Sequence, residues 1–119
     1  TEIYTLSLHD ALPICLPWWA YEGGQHLTVP PGKDDDPAWV NLIASANRDP
    51  RMGRAYQRHL ADWQAAGGQL FVWFNHAGRP SKWGAWGLKE TQFSDAFPKW
   101  QAVKSARDNQ PCWWAGCLQ

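Results

Sequence analysis

Two short apolar runs stand out along the chain, and each precedes a long segment rich in glycine and polar residues. Residues 16–21 (LPWWAY) and residues 69–75 (QLFVWFN) are almost continuously apolar, which is typical of strands covered on both faces. Behind them, residues 23–36 and 76–92 have the glycines, prolines and polar side chains of loops. The pattern predicts two buried strands, each followed by a long loop.

Helical periodicity occupies the segment between these strands. Residues 37–46 have one apolar face, and residues 50–66 repeat the pattern. Asp36 and Asp49 each precede a proline, which indicates two N-caps with proline at the first helical position. The second helix should end at the Gly67-Gly68 pair. The apolar positions are Trp39, Leu42, Ile43 and Ala46 in the first helix, then Met52, Tyr56, Leu60 and Trp63 in the second.

A last helix is predicted from Ser94 or Pro98 to Arg107, with Trp100 and Val103 buried. Strands that alternate with helices favour βα units and a parallel sheet. The fold class is therefore α/β, and the long loops after both strands are typical of the working face of a (β/α)₈ TIM barrel. A whole barrel needs about 250 residues, so we expect the last two βα units of one, within residues 15–109.

The N-terminal residues 1–14 (TEIYTLSLHDALPI) match the translation of a sequencing adapter. Cys15 is interpreted as the junction codon between adapter and gene. His9 and Asp10 resemble half of a catalytic pair, but they carry no weight if the segment is not native. We expect the first three quarters of the barrel to lie upstream of this junction.

Charge and composition exclude several classes of protein. Without Glu2 and Asp10, nine acidic residues face eleven basic ones, so the net charge is about +2. The sequence has no basic run of the kind that predicts nucleic-acid binding. It also has no apolar stretch of the roughly 20 residues that a membrane span needs. The acidic run 34–36 is interpreted as solvated, with a calcium site as the alternative. No cofactor or metal site is expected.

Tryptophan is unusually abundant, with ten residues in the chain. Some should lie in the core, because tryptophan is highly buried on average. Others are expected to offer flat faces for sugar rings. Cys112 and Cys117 predict either a small-loop disulfide of an exported protein or two free thiols. The tail, residues 110–119, is not assigned to any domain.

Glu22 is the leading candidate for chemistry. It ends the first apolar run and is followed by Gly23 and Gly24, which lack Cβ atoms and so let a bulky ligand approach. The alternative is a structural carboxylate that accepts hydrogen bonds from backbone N–H groups of the glycine-rich turn. Glu90, late in the second loop, is interpreted as a solvated charge.

Polar and aromatic residues near the strand ends complete the candidate site. His26 and His76 follow the strands and could donate to a sugar hydroxyl or hold Glu22, or they could be ordinary loop residues. Gln25 and Asn75 have the donors and acceptors that hydroxyl groups need. Tyr21 is expected to pack against its neighbours, with its hydroxyl able to orient the carboxylate.

Three segments resemble the C-terminal part of a group of bacterial secreted proteins described as cellulose-binding or glycoside-hydrolase-like. They are residues 21–26 (YEGGQH), residues 46–52 (ANRDPRM) and residues 74–87 (FNHAGRPSKWGAWG). More broadly, the chain resembles the retaining (β/α)₈ glycosidases. That resemblance implies that Glu22 is the nucleophile and that Trp83 or Trp86 stacks on the sugar nearest the cleaved bond. It also implies an acid/base glutamate after strand 4, outside this chain.

Two functions of the parent protein follow from this resemblance. The first is an enzyme that hydrolyses a polysaccharide with retention of configuration, and the second is a barrel of the same kind that binds glycan without cleaving it. The resemblance implies an extracellular or periplasmic location, while the sequence says nothing of the oligomeric state. Alone, the fragment is expected to be inactive and poorly soluble, because two strands leave open sheet edges.

Overall fold

The computed structural model describes residues 16–117, so the predicted adapter at residues 1–14 lies outside the described part. The chain is a mixture of helices and two parallel strands, which confirms the expected α/β class. In chain order the elements are β1 (Ala20–Gly23), α1 (Pro37–Arg48), α2 (Pro50–Ala65), β2 (Phe71–Trp73) and α3 (Pro98–Asn109).

The two strands pair in parallel, with Ala20 opposite Phe71 and Gly23 opposite Trp73. Both are shorter than the apolar runs that predicted them. Backbone hydrogen bonds nevertheless continue beyond the strand ends, from Gln69 N to Trp18 O at 2.8 Å and from Phe74 N to Gly23 O at 2.9 Å. Within β1 the register is irregular between Ala20 and Gly23.

The parallel arrangement gives the sheet two distinct ends. We call the end where the strands finish the upper edge, formed by residues 24–36 and 74–92. The opposite end is the lower edge, formed by residues 16–19, 66–70 and 110–117.

The predicted helix signals are confirmed. The Asp36 carboxylate accepts from Ala38 N at 3.0 Å, and the Asp49 carboxylate accepts from Arg51 N at 2.7 Å. After α2, Gly67 has a φ of 86°, the left-handed conformation that glycine adopts at a helix end. The helices α1 and α3 extend two residues beyond their predicted ends, to Arg48 and Asn109.

The core lies between the sheet and the helices. Tyr56 of α2 stacks on Trp73 of β2 at a centroid distance of 4.7 Å, and Tyr56, Leu88 and Ala102 form its buried centre. The expected apolar stripe of α2 is confirmed, since Tyr56 and Leu60 are buried. On α1 the expectation holds for Ile43 but not for Leu42, which is exposed.

Close contact between α2 and α3 requires a glycine. A Cβ added to Gly53 would lie 2.8 Å from Pro98 O, so any larger residue would push the start of α3 away from α2. The two helices make the most extensive contact between elements in the described part. This contact positions α3, and with it the loop that precedes it.

The sheet has one covered face and one bare face. Phe71 and Trp73 face α2, where Phe71 meets the ring of Trp63 at 5.3 Å. Side chains alternate along a strand, so Val72 and Phe74 point the other way, and Val72 remains 44% exposed. Within residues 16–117, an apolar strand face therefore stays without cover.

The tail that the sequence left unassigned closes the lower edge. Cys112 and Cys117 form a disulfide with their Cα atoms 5.7 Å apart, which settles the question between a disulfide and free thiols. Trp113 in this loop donates its indole N–H to Gly68 O at 2.8 Å. A cavity of about 580 Å³ lies between the loop, β2 and α3.

In the described residues, no helix has the length and apolarity to cross a membrane.

Candidate functional site

Glu22 lies in a β-bulge at the upper end of β1. Because Ala20 pairs with Phe71 and Gly23 with Trp73, the two residues between them, Tyr21 and Glu22, oppose the single residue Val72. Both residues are exposed. Tyr21 is 89% exposed, so the prediction that it packs against its neighbours is wrong: the bulge turns its ring into solvent. Bulges occur preferentially at barrel rims and beside active sites, where they re-aim side chains.

The Glu22 carboxylate has no hydrogen-bond or ion-pair partner among residues 16–117. The structural alternative required donors from the glycine-rich turn, and that part of the chain supplies none. Carboxylates held for structure are normally paired or hydrogen-bonded. The side chain of Glu22 is therefore available to an external ligand.

The two glycines after Glu22 serve contacts within the protein, a role different from the one that the sequence suggested. A Cβ on Gly23 would lie 2.2 Å from the ring of Phe71, and one on Gly24 would lie 3.0 Å from the Tyr56 hydroxyl. Gly24 also has a φ of 144°, a backbone conformation that residues with a side chain rarely adopt. The glycines bring the end of β1 close to the covered face of the sheet.

Gln25 ties the two upper-edge loops together. Its side-chain amide donates to Ala85 O, and its side-chain oxygen accepts from Leu27 N at 2.6 Å. Its backbone N–H donates to the Tyr56 hydroxyl at 3.0 Å. Burial raises the pKa of the Tyr56 hydroxyl above its usual value. The expected substrate-binding amide of Gln25 is thus engaged by the protein.

Trp86 is the point where residues from both strand ends meet. Its ring lies 6.1 Å from the ring of His26, which follows β1, and 6.1 Å from the ring of Phe74, which follows β2. Of the sequence candidates, the structure thus brings Gln25, His26 and Trp86 to one place. Trp86 is half-buried, so part of its surface remains open.

Asn75 and His76 point to other surroundings. The backbone carbonyl of Asn75 accepts from Leu88 N at 2.8 Å, while its side-chain Oδ1 is buried and finds no donor in residues 16–117. The peptide bond between Phe74 and Asn75 is cis. His76 is exposed, and its ring lies 5.3 Å from the ring of Trp100. No contact joins His76 to Trp86 or to Glu22 in the described residues.

Lys99, which the sequence analysis did not select, supports the loop that carries Trp86. Its ammonium group donates to Ala85 O at 3.1 Å and to Trp86 O at 3.0 Å, and the residue is only 1% exposed. Burial lowers the pKa of Lys99 to about 8, partly opposed by the charge of Glu90. Lys99 lies one turn before Ala102 and Val103, on the buried side of α3. This helical spacing was the sequence signal that could have predicted its burial.

Trp83 has a different environment from Trp86, although both occur in one motif. Ser81 and Gly84 exchange backbone hydrogen bonds of 2.9 and 3.1 Å, and this tight turn presents Trp83 to solvent at 63% exposure. The Lys82 ammonium lies over the indole, 4.9 Å from the ring centroid. Lys82 also lies 3.9 Å from the carboxylate of Asp35 in the first loop.

Glu90 is not the solvated charge that the sequence suggested. Arg48 binds its carboxylate through two hydrogen bonds of 2.7 and 2.8 Å, and the Glu90 side chain is 13% exposed. The hydrogen bond to Glu90 raises the pKa of Arg48 above its usual value. This pair joins the end of α1 to the second loop. No cluster of metal-ligating side chains occurs within residues 16–117.

Comparisons with protein families, with curated proteins and with solved structures find no match to this chain.

Proposed function

We propose that this chain comprises the last two βα units of a (β/α)₈ glycoside hydrolase that cleaves a polysaccharide with retention of configuration. In such barrels the helices surround the strands and the strand side chains fill the interior. The sheet here has helices on one face and exposed apolar side chains, Val72 and Phe74, on the other. A bare strand face of this kind is what a section of barrel wall would present to the missing interior.

The observation that carries the proposal is the position of Glu22. Its carboxylate lies in a bulge at the upper end of a parallel strand, exposed and without a partner in the described residues. Catalytic residues of barrel enzymes come from this end of the strands. Glu22 would attack the anomeric carbon as the bond to the leaving oxygen breaks, and a second carboxylic acid would protonate that oxygen. Water would then hydrolyse the glycosyl-enzyme ester.

Trp86 is the proposed platform for the sugar at the cleaved bond. Contacts with His26 and Phe74 place it between the segments that follow β1 and β2. Lys99 fixes the backbone beneath it. Trp83, by contrast, has no aromatic neighbour within residues 16–117. These contacts favour Trp86 over Trp83, a choice that the sequence left open.

The disulfide supports an extracellular or periplasmic location for this enzyme. Disulfides form and persist in oxidising compartments and are rare in the cytosol. The Cys112–Cys117 bond closes a short loop on the lower edge, far along the chain from the proposed nucleophile. Polysaccharides are also encountered mainly outside the cell, so location and substrate agree.

The experiment that tests this function is Glu22→Gln in the complete protein. Loss of the nucleophile should reduce release of reducing sugar from cellulose on the order of 10³-fold, while affinity for cellohexaose stays near that of the unmodified protein. The matched control is Asp34→Asn, which neutralises another exposed carboxylate at the upper edge. Near-normal turnover by Glu22→Gln would rule out the nucleophile.

A barrel that binds glycan without cleaving it is the second candidate. Within residues 16–117 the other glutamate, Glu90, is bound by Arg48, so these residues hold one unpaired glutamate where cleavage with retention needs two carboxyl groups. If the complete protein binds cellohexaose but releases no reducing sugar from cellulose, the binding function is the correct one.

A further inference from the structure

The tail of the chain is closed into a small ring on the lower edge. The disulfide between Cys112 and Cys117 joins residues five apart in sequence, and we call residues 112–117 the disulfide ring. Gly116 has a φ of 89°, the left-handed conformation that lets the backbone turn back within so few residues. Only two residues connect this ring to the end of α3.

One hydrogen bond attaches the disulfide ring to the rest of the molecule. The Trp113 indole N–H donates to Gly68 O at 2.8 Å, and among residues 16–117 no other hydrogen bond joins the ring to a different part of the chain. The indole of Trp113 packs edge-on against that of Trp114, at a centroid distance of 4.7 Å. The attachment of the ring therefore depends on how Trp113 is held.

The disulfide ring forms one wall of the cavity of about 580 Å³ between β2 and α3. The other walls are mainly apolar side chains, among them Leu60, Phe71, Trp73 and Val103. Phe71 and Trp73 belong to the covered face of the sheet, which packs against α2. The ring therefore shields part of this covered face from water at the lower edge.

The disulfide acts on the ring more than on the fold as a whole. A bond between residues five apart closes a short loop, and short loops remove the least conformational entropy from the unfolded chain. The bond instead fixes the course of Trp113 and Trp114 between the two cysteines. A segment with one external hydrogen bond opens locally at low cost once such a restraint is lost. Cys112 and Cys117 are both half-buried, so a dissolved thiol can reach the bond.

We propose that the disulfide ring is an oxidation-dependent cover: the intact bond keeps Trp113 attached to Gly68, and its reduction releases the ring and opens the cavity to water. The reductant is a dithiol. One of its thiolates attacks a cysteine sulfur and displaces the other cysteine as a thiolate, and its second thiol then displaces the first cysteine. The products are two cysteine thiols, which take the two protons of the dithiol, and a cyclic disulfide of the reductant. The cover is closed in an oxidising compartment and open in a reducing one.

The test uses the complete protein labelled with 5-fluorotryptophan and followed by fluorine NMR, with dithiothreitol as the dithiol. The difference in chemical shift between H₂O and D₂O reports how exposed each indole is to solvent. This solvent shift should grow at Trp73 and Trp113 after reduction and stay constant at Trp86 on the upper edge. The double variant Cys112→Ser/Cys117→Ser should give the open spectrum from the start and show no response to dithiothreitol.

The variant Trp113→Phe separates the hydrogen bond from the disulfide. It keeps the disulfide and a flat side chain but loses the N–H donor to Gly68 O, so it should expose Trp73 without a reductant, by less than reduction does. An unchanged solvent shift at Trp73 after reduction, or a response that persists in the double variant, would overturn the cover. So would an equal change at Trp86, because the bond would then hold the whole fold. None of these outcomes depends on the role of Glu22.

Discussion

The two edges of the sheet use their tryptophans in opposite ways. Three indole N–H groups donate to acceptors on the lower edge: Trp63 of α2 to Gln69 O at 3.2 Å, Trp113 to Gly68 O at 2.8 Å and Trp19 to the Gln69 side chain at 3.3 Å. On the upper edge, the indole N–H groups of Trp83 and Trp86 have no acceptor among residues 16–117. The acceptors of the lower edge therefore engage indole N–H groups, whereas the indole N–H groups of Trp83 and Trp86 stay unpaired in the described residues.

The same division applies to charge. Near the upper edge, Glu22 is exposed and has no partner in the described residues, whereas Glu90 is bound by Arg48. The two glutamates therefore differ in what they can do, although both belong to glycine-containing segments of the sequence. Glu90, held by its ion pair, supports the second loop, and Glu22, which has no partner in the described residues, is open to solvent.

The largest stability difference is expected between Trp63, which bonds to the lower edge, and Trp83 of the upper edge. Trp63→Ala removes a ring that contacts Trp18 at 4.3 Å and Phe71 at 5.3 Å, so the free energy of unfolding should fall by about 3 kcal/mol. Trp83→Ala removes an exposed ring and should change it by no more than about 0.5 kcal/mol. Urea denaturation of the complete protein, followed by circular dichroism, measures both changes. Equal losses of unfolding free energy in the two variants would show that the two tryptophans do not differ in this way.

Lys99 sharpens the comparison, because it connects the upper-edge loop to the helical layer. Its pKa in the folded protein is about 8, below its value when unfolded. From pH 8 towards pH 10 the folded state therefore binds fewer protons than the unfolded state, and the free energy of unfolding gains a contribution that rises with pH. The variant Lys99→Met replaces the titrating lysine with an uncharged side chain of similar length.

The difference in unfolding free energy between the two proteins isolates this contribution. Denaturation curves of the complete protein at pH 7.5 and at pH 9.5 should show that it gains stability relative to its Lys99→Met variant as the pH rises. A difference that does not change with pH would mean that Lys99 titrates normally and is not buried beneath Trp86.

Much of the fold could be predicted from local patterns. The caps at Asp36 and Asp49, the stop at Gly67 and the stripe of α2 all depend on residues close in sequence. Parallel pairing also follows from the order of strands and helices. The bulge at Tyr21 and Glu22 could not be predicted, because it depends on how β1 pairs with a strand about 50 residues away.

The sequence predicted which residues belong to the candidate site better than it predicted how they are arranged. The sequence selected Gln25 and Trp86, but it gave no sign that the Gln25 amide donates to Ala85 O. It assigned Glu90 to solvent, because the partner Arg48 lies 42 residues earlier and only the fold brings them together. It passed over Lys99, since a lysine in the first turn of a helix ordinarily faces water.

The nucleophilic role of Glu22 is the central claim, and covalent trapping tests it most directly. Retaining hydrolysis passes through a glycosyl-enzyme ester, which a 2-deoxy-2-fluoro-cellobioside with a good leaving group should accumulate on the complete protein. Peptide mass mapping should then find the sugar on the peptide that contains Glu22. A sugar attached to a different carboxylate, or steady hydrolysis of cellulose with no adduct on Glu22, would contradict the account.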